Sequence, residues 1–242
     1  MTIMRNIPRP WLVRIVPSLA ALILLVSSEA PALAQHSIGH ARCCGRQDVI
    51  LIRGGAGYWP GAKDMANHFQ SIGYVPTIIQ HWEYSSVADE IGQAVAQGRM
   101  SGGVVIVGYS SGADFACLLA KRLQEKGIRV QTMVLIESTF GISVPENVDY
   151  CINYYKKRPM DFVPAFRGVP VTAKSSATQM YNINVANDPQ LKFLSDRNHF
   201  TMCNSPMLHQ MAGNVVASRQ PAQLTSPASN VANAAPETPV RR

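Results

Sequence analysis

The stretch Gly108-Tyr109-Ser110-Ser111-Gly112 follows a Val-Val-Ile-Val run and leads into a segment with Phe115, Leu118 and Leu119 at helical spacing. A sharp strand-to-helix turn of this G-x-S-x-G kind pushes a serine Oγ into the open, and the flanking glycines keep neighbouring backbone clear of it. The helix amino terminus behind the serine adds partial positive charge and free amide donors. Ser110 is the expected nucleophile, and Ser111, at the second variable position, is not. The competing reading is a glycine-rich turn that cradles phosphate, but neither G-x-x-x-x-G-K-[ST] nor G-x-G-x-x-G occurs.

A serine needs a base, and the base needs a carboxylate behind it. His199, in Asn198-His199-Phe200-Thr201, comes late in the chain after an expected strand at Leu191 to Leu194, which gives the order serine, acid, histidine. Of its rivals, His36 and His40 precede the expected domain, while His68 and His209 fall on expected helices. His81 follows an earlier strand, where it could line the site.

Glu137 ends the apolar strand Val134-Leu135-Ile136, where a charge needs a partner and an imidazolium would serve. Asp188 is the alternative acid, although only ten residues separate it from His199, and Asp196 is closer still. Asp114 reads as a helix-start charge near the dipole. For the oxyanion, two amides must converge: that of Ser111 and one from Gly54-Gly55-Ala56-Gly57, with Gly55 or Ala56 the choice. Tyr58, Trp59, Trp82 and Tyr109 are expected to border the site as an apolar wall.

These residues must be carried by alternating elements. Short β-branched strands are expected at Asp48–Ile52, Tyr74–Ile79, Gly103–Val107 and Val130–Ile136. Helices are expected at about Gly61–Ile72, Val87–Gln97 and Ser111–Lys126. The alternation predicts an α/β, doubly wound, mainly parallel sheet with its site beyond the carboxyl ends of the strands. Tyr150 to Val185 has no regular pattern and is broken by three prolines after Arg158, Val163 and Val169, so it is expected to be a lid or a long surface loop.

The chain has 242 residues, 47% of them hydrophobic and 15% charged, which excludes a disordered polyampholyte. No repeat, heptad or collagen pattern is present. Residues 1–34 read as a signal peptide: Arg5, Arg9 and Arg14 flank an apolar core, and Ala32-Leu33-Ala34 offers a cleavage site before Gln35. Losing three Arg and one Glu would lower the net charge from +7 to +5. The remaining charge forms no basic stripe, so nucleic acid is not an expected partner, while peripheral contact with anionic lipid is. Residues 46–219 are the expected folded domain, and 220–242, rich in Pro, Ala, Ser and Asn, an expected disordered tail. Among five cysteines, Cys117 falls on an apolar helix as a buried thiol, Cys151 and Cys203 are a candidate disulfide, and no zinc spacing occurs.

Together the glycine loop, the serine elbow, the strand-end acid and the late histidine resemble the α/β-hydrolase superfamily from Asp48 to about Val216. With Glu137 on the strand directly after the elbow helix, the chain looks like the thioesterase-type members. Gly54-Gly55-x-Gly57 near Trp59, with Gly108-Tyr109-Ser110-x-Gly112-Ala113-Asp114, is similar to an exported bacterial virulence-protein group implicated in lysyl-phosphatidylglycerol hydrolysis. The later half of the chain departs from that group, so its substrate is not carried over. The expected activity is that of a periplasmic or secreted serine hydrolase cleaving carboxylic esters or thioesters, with a small-molecule or lipid acyl substrate and neither metal nor organic cofactor. The alternative is a non-catalytic exported lipid- or partner-binding protein on the same fold.

Overall fold

The computed structural model describes residues 36, 38–39, 47–100, 103–158, 162–163 and 166–219. The expected signal peptide and tail lie outside these residues.

Among the described residues six strands form the sheet: β1 (Asp48–Ile52), β2 (Val75–Ile79), β3 (Val104–Tyr109), β4 (Val130–Ile136), β5 (Val148–Tyr155) and β6 (Gln179–Asn184). Their order is β2-β1-β3-β4-β5-β6, and every neighbouring pair is parallel. Every residue of β1 and β3 is buried, as continuous apolar runs in a sheet covered on both faces should be.

The covering layers come from amphipathic helices. On one face, α2 (Tyr84–Ala96) and α3 (Ser111–Glu125) bury Val87, Ile91, Cys117, Leu119 and Leu123 against Ile50, Ile52, Ile106 and Leu135. On the other, α1 (Ala62–Ser71) and α5 (Pro206–Ala217) bury Met65, Phe69, Leu208 and Val216 against Val49, Leu51, Val105 and Val107. Helix α1 stops at Gly73, whose φ of 95° suits a residue without a Cβ. The doubly wound parallel α/β arrangement is therefore present.

Four sequence expectations change. Val148–Tyr155 and Gln179–Asn184 are strands, so the region from Tyr150 to Val185 begins and ends as sheet rather than being one irregular insertion. Pro189–Leu194 is a 3-10 helix, not a strand: Asp188 accepts the amide of Gln190 and Pro189 begins the helix. The folded unit reaches back before residue 46, since Ile38 is buried in the core beneath α2 and α3 and its carbonyl accepts from Arg99 Nη1 at 2.9 Å. Cys151 and Cys203 are free thiols packed in the cores on opposite faces of the sheet, which excludes their pairing; Cys117 is the expected buried thiol.

Candidate active site

Two central strands end in the same way. Ser110 N–H donates to Ile136 O at 2.8 Å and Glu137 N–H to Tyr154 O at 2.8 Å, so β3 and β4 stay paired up to these residues. Each residue then turns sharply out of the sheet, Ser110 with φ 57° and ψ −131°, Glu137 with φ 58°. With Ala56 (φ 51°) in the glycine loop after β1, they are the non-glycine residues with positive φ among those described. Strain of this kind persists only where surrounding contacts over-determine it. Here the contact is between strand and helix. A Cβ on Gly108 would stand 2.5 Å from Gly112 O, and one on Gly112 2.3 Å from Ile52 O.

His199 opens α4 (His199–Met202), a single turn fixed by a capping box in which Asn198 Oδ1 accepts from Phe200 N and Thr201 N. The Tyr109 hydroxyl donates to His199 O at 2.8 Å and holds this turn against β3. The ring is buried, with Nε2 2.9 Å from Ser110 Oγ and Nδ1 3.0 Å from Glu137 Oε2. A carboxylate only accepts, so Nδ1 carries the proton and Nε2 is left to accept the serine hydroxyl. A strained serine between β3 and α3, an acid after β4 and a late histidine thus meet beyond the carboxyl edge of a parallel sheet. This is the α/β-hydrolase fold.

Within this fold the Glu137 carboxylate is enclosed completely. Glu137 is 0% exposed; Oε1 accepts Lys156 N at 2.8 Å, and Oε2 is bound by the Arg158 guanidinium as well as by His199. Gly168 closes over it, since a Cβ there would stand 2.6 Å from Oε1. Asp188 caps the 3-10 helix and Asp196 accepts from its neighbour Ser195, so neither alternative carboxylate serves the histidine.

The glycine loop closes on itself through Gly54 N to Tyr58 O, Gly57 N to Gly54 O and Tyr58 N to Gly55 O. Gly55 and Ala56 open the 3-10 turn and Ser111 opens α3, so their amides are among the first-turn donors that have no partner within the helix and that an oxyanion would need. His81 Nδ1–H donates to Gly54 O at 3.0 Å, anchoring this loop; burial, the larger influence, pushes the imidazole below its ordinary range. Thr139 Oγ1 lies 3.5 Å from Ser110 Oγ.

Of the expected wall, Tyr58 and Trp82 are half exposed, but Trp59 and Tyr109 are buried in the core beneath α1 and α5 and back the site rather than line it. Trp59 Nε1 donates to Cys203 O. The exposed wall instead includes Phe200, with ring centroids 5.6 Å from Tyr58, 5.4 Å from Phe166 and 5.5 Å from His199. Phe200 is adjacent to the histidine in sequence, a signal that was available. Phe166, Arg158 and Gly168 come from the β5–β6 loop, which no local pattern ties to the site.

Asp114 is not a simple helix-start charge. It is 1% exposed, and its oxygens accept from Ser138 Oγ and the amides of Thr139, Phe140 and Gly141, binding α3 to the loop that follows Glu137. Among the described residues no cluster of three or more His, Cys, Asp or Glu is placed to hold a metal.

No protein-family model matches the chain, and no curated protein matches it. Among solved structures it is similar to the RedJ thioesterase of the prodiginine pathway of Streptomyces coelicolor, with a TM-score of 0.44 and 10% identity over 72% of this chain and 86% of that one. It is similar to the surfactin-cyclising thioesterase domain SrfTE, with a TM-score of 0.46 and 13% identity over 79% and 98%. For the Vlm2 thioesterase domain the TM-score is 0.42, with 12% identity over 72% and 93%. These likenesses are of outline, and what the site can do rests on its own side chains.

Proposed function

We propose that the protein is a serine hydrolase that cleaves carboxylic esters or thioesters through an acyl-enzyme on Ser110. The observation that carries the reading is the unbroken relay from Ser110 Oγ to His199 Nε2 (2.9 Å) and from His199 Nδ1 to Glu137 Oε2 (3.0 Å). Ser110 Oγ attacks the acyl carbonyl while His199 Nε2 takes its proton, and Glu137 steadies the resulting imidazolium. The amides of Ser111 and of Gly55 or Ala56 receive the oxyanion. His199 then delivers the proton to the departing alcohol or thiol, and water, activated by the same ring, releases the acid.

The exposed rings of Tyr58, Phe166 and Phe200 beside His199 suit an apolar acyl group. The Arg-flanked apolar segment before Ala32-Leu33-Ala34 supports export of the mature protein from Gln35 onward; amino-terminal sequencing of the periplasmic or secreted protein tests this, and an intact Met1 would refute it.

Fluorophosphonate labelling of the purified protein, with the modified residue mapped by mass spectrometry, tests the activity. Label on Ser110 that disappears in Ser110→Ala is expected. A folded protein that takes no label would sink the reading and favour a binding protein on the same fold.

A further inference from the structure

Glu137 Oε2 serves two cations in prospect. One is the imidazolium that forms when His199 takes the serine proton. The other is permanent: the guanidinium of Arg158, on the segment that leaves β5, contacts the same oxygen. Both side chains are withdrawn from water, Arg158 to 13% exposure and Glu137 to 0%, so solvent does little to screen them. A carboxylate alone favours the protonated ring. A guanidinium on the same oxygen opposes that preference by taking up part of the negative charge and by repelling a second positive charge.

The other charged or titratable groups around the ring are differently engaged. Lys156 Nζ is held by the carbonyls of Ser195 and Arg197, and Arg167 Nε donates to Thr139 O at 3.0 Å. The Asp114 carboxylate is committed to the amides of the loop after Glu137. Tyr109 is kept neutral, its phenol pushed far up by burial first of all, and burial likewise pushes the Cys203 thiol up to about 12. Tyr58 lies against Phe200. Arg158 is thus the cation in contact with the carboxylate that supports His199.

We propose that Arg158 is a positioning residue that, by sharing Glu137 with His199, sets the pH below which Ser110 loses its base. This rests on the serine-hydrolase reading above. Glu137 does not depend on Arg158 for its seat. Its Oε1 is bound by Lys156 N, Gly168 closes over it, and Arg158 is itself held by Nη1 donating to Lys156 O at 3.1 Å. Removing the guanidinium therefore changes charge more than geometry. Without it the ring keeps its proton to higher pH, and the acid limb of the rate profile moves upward.

The test is the rate of fluorophosphonate labelling between pH 4 and 9 for the wild type, Arg158→Met and Arg158→Lys. The expected result is an acid limb about one pH unit higher in Arg158→Met, a plateau within about tenfold of wild type, and an Arg158→Lys limb at the wild-type position. Coincident limbs in Arg158→Met and wild type would overturn the proposal, as would equal displacement in Met and Lys variants. Should Arg158→Met fail to fold, Arg158→Gln replaces it, and a wild-type limb there is equally fatal. Failure of both neutral variants to fold beside a sound Arg158→Lys would make the guanidinium's role structural and overturn the proposal. A wild type that never labels would instead refute the hydrolase reading itself.

Discussion

Asp114 Oδ2 accepts the backbone amide of Thr139 at 2.9 Å, joining the helix that follows Ser110 to the loop that follows Glu137. Every hydrogen-bonding group facing this carboxylate is a donor: one hydroxyl and the amides of Thr139, Phe140, Gly141 and Ile142. An amide side chain would turn its own N–H groups toward them. Asp114→Asn is therefore expected to cost at least about 2 kcal/mol in denaturant-measured stability, the worth of a buried charge-assisted hydrogen bond. The labelling rate of Ser110 should fall with it. A variant of wild-type stability would mean that the loop does not need the charge.

Ser110 is held in a conformation that glycine adopts freely and serine does not. Such strain costs on the order of 1–3 kcal/mol, against about 0.5–1 kcal/mol for the extra freedom of an unfolded glycine. Ser110→Gly should be inactive yet more stable by about 1 kcal/mol in urea titration. A loss of stability would place the strain elsewhere.

Gly168 has no room for a methyl group, because the Cβ would press on Glu137 Oε1 at 2.6 Å and Lys156 N at 3.0 Å. Gly168→Ala should displace the carboxylate from His199 and lower kcat tenfold or more while circular dichroism stays native. Retention of full activity would show that the loop can lift away from the acid at no cost.

His209 is buried, and its Nε2–H donates to Cys203 O at 2.8 Å, which sets the tautomer of the neutral ring. Burial, the largest influence, holds it below its ordinary value near 6.5. In the unfolded chain the ring protonates first as pH falls, so the unfolded state binds the extra proton. Its contribution to stability is complete above about pH 6.5 and is lost on acidification below it, by at most about 1.4 kcal/mol per pH unit. Denaturation midpoints followed from pH 7.5 to 5 should fall less steeply in His209→Gln. Parallel curves would show that other groups cause the loss.

The strand-turn-helix at Ser110 was legible because all its determinants are local: a β-branched run, two glycines and an apolar helix. Glu137 and His199 were legible as strand-end and late-chain positions. What local pattern could not supply was the company they keep. Arg158 and Gly168 reach Glu137 from 21 and 31 positions onward, through β5 and its loop. Strand β5 escaped notice because Asp149, Asn153 and two tyrosines at 154 and 155 interrupt its apolar character, although Tyr150 to Tyr154 are buried. Leu191 to Leu194 misled for the opposite reason. A short apolar run looks alike as strand or 3-10 turn, and Asp188 with Pro189 decides for the turn.

The all-parallel order of the sheet has a kinetic consequence. None of its five ladders is a hairpin, so each must wait for a crossover to close, and β3 pairs with β1 only after β2 and two helices have been bypassed. Strand β3, which leads into Ser110, lies between β1 and β4 and cannot take up its place until both neighbours are available. Refolding should be slow for a chain of this size, with native secondary structure returning before activity, because the strained serine is among the last residues to be locked into place.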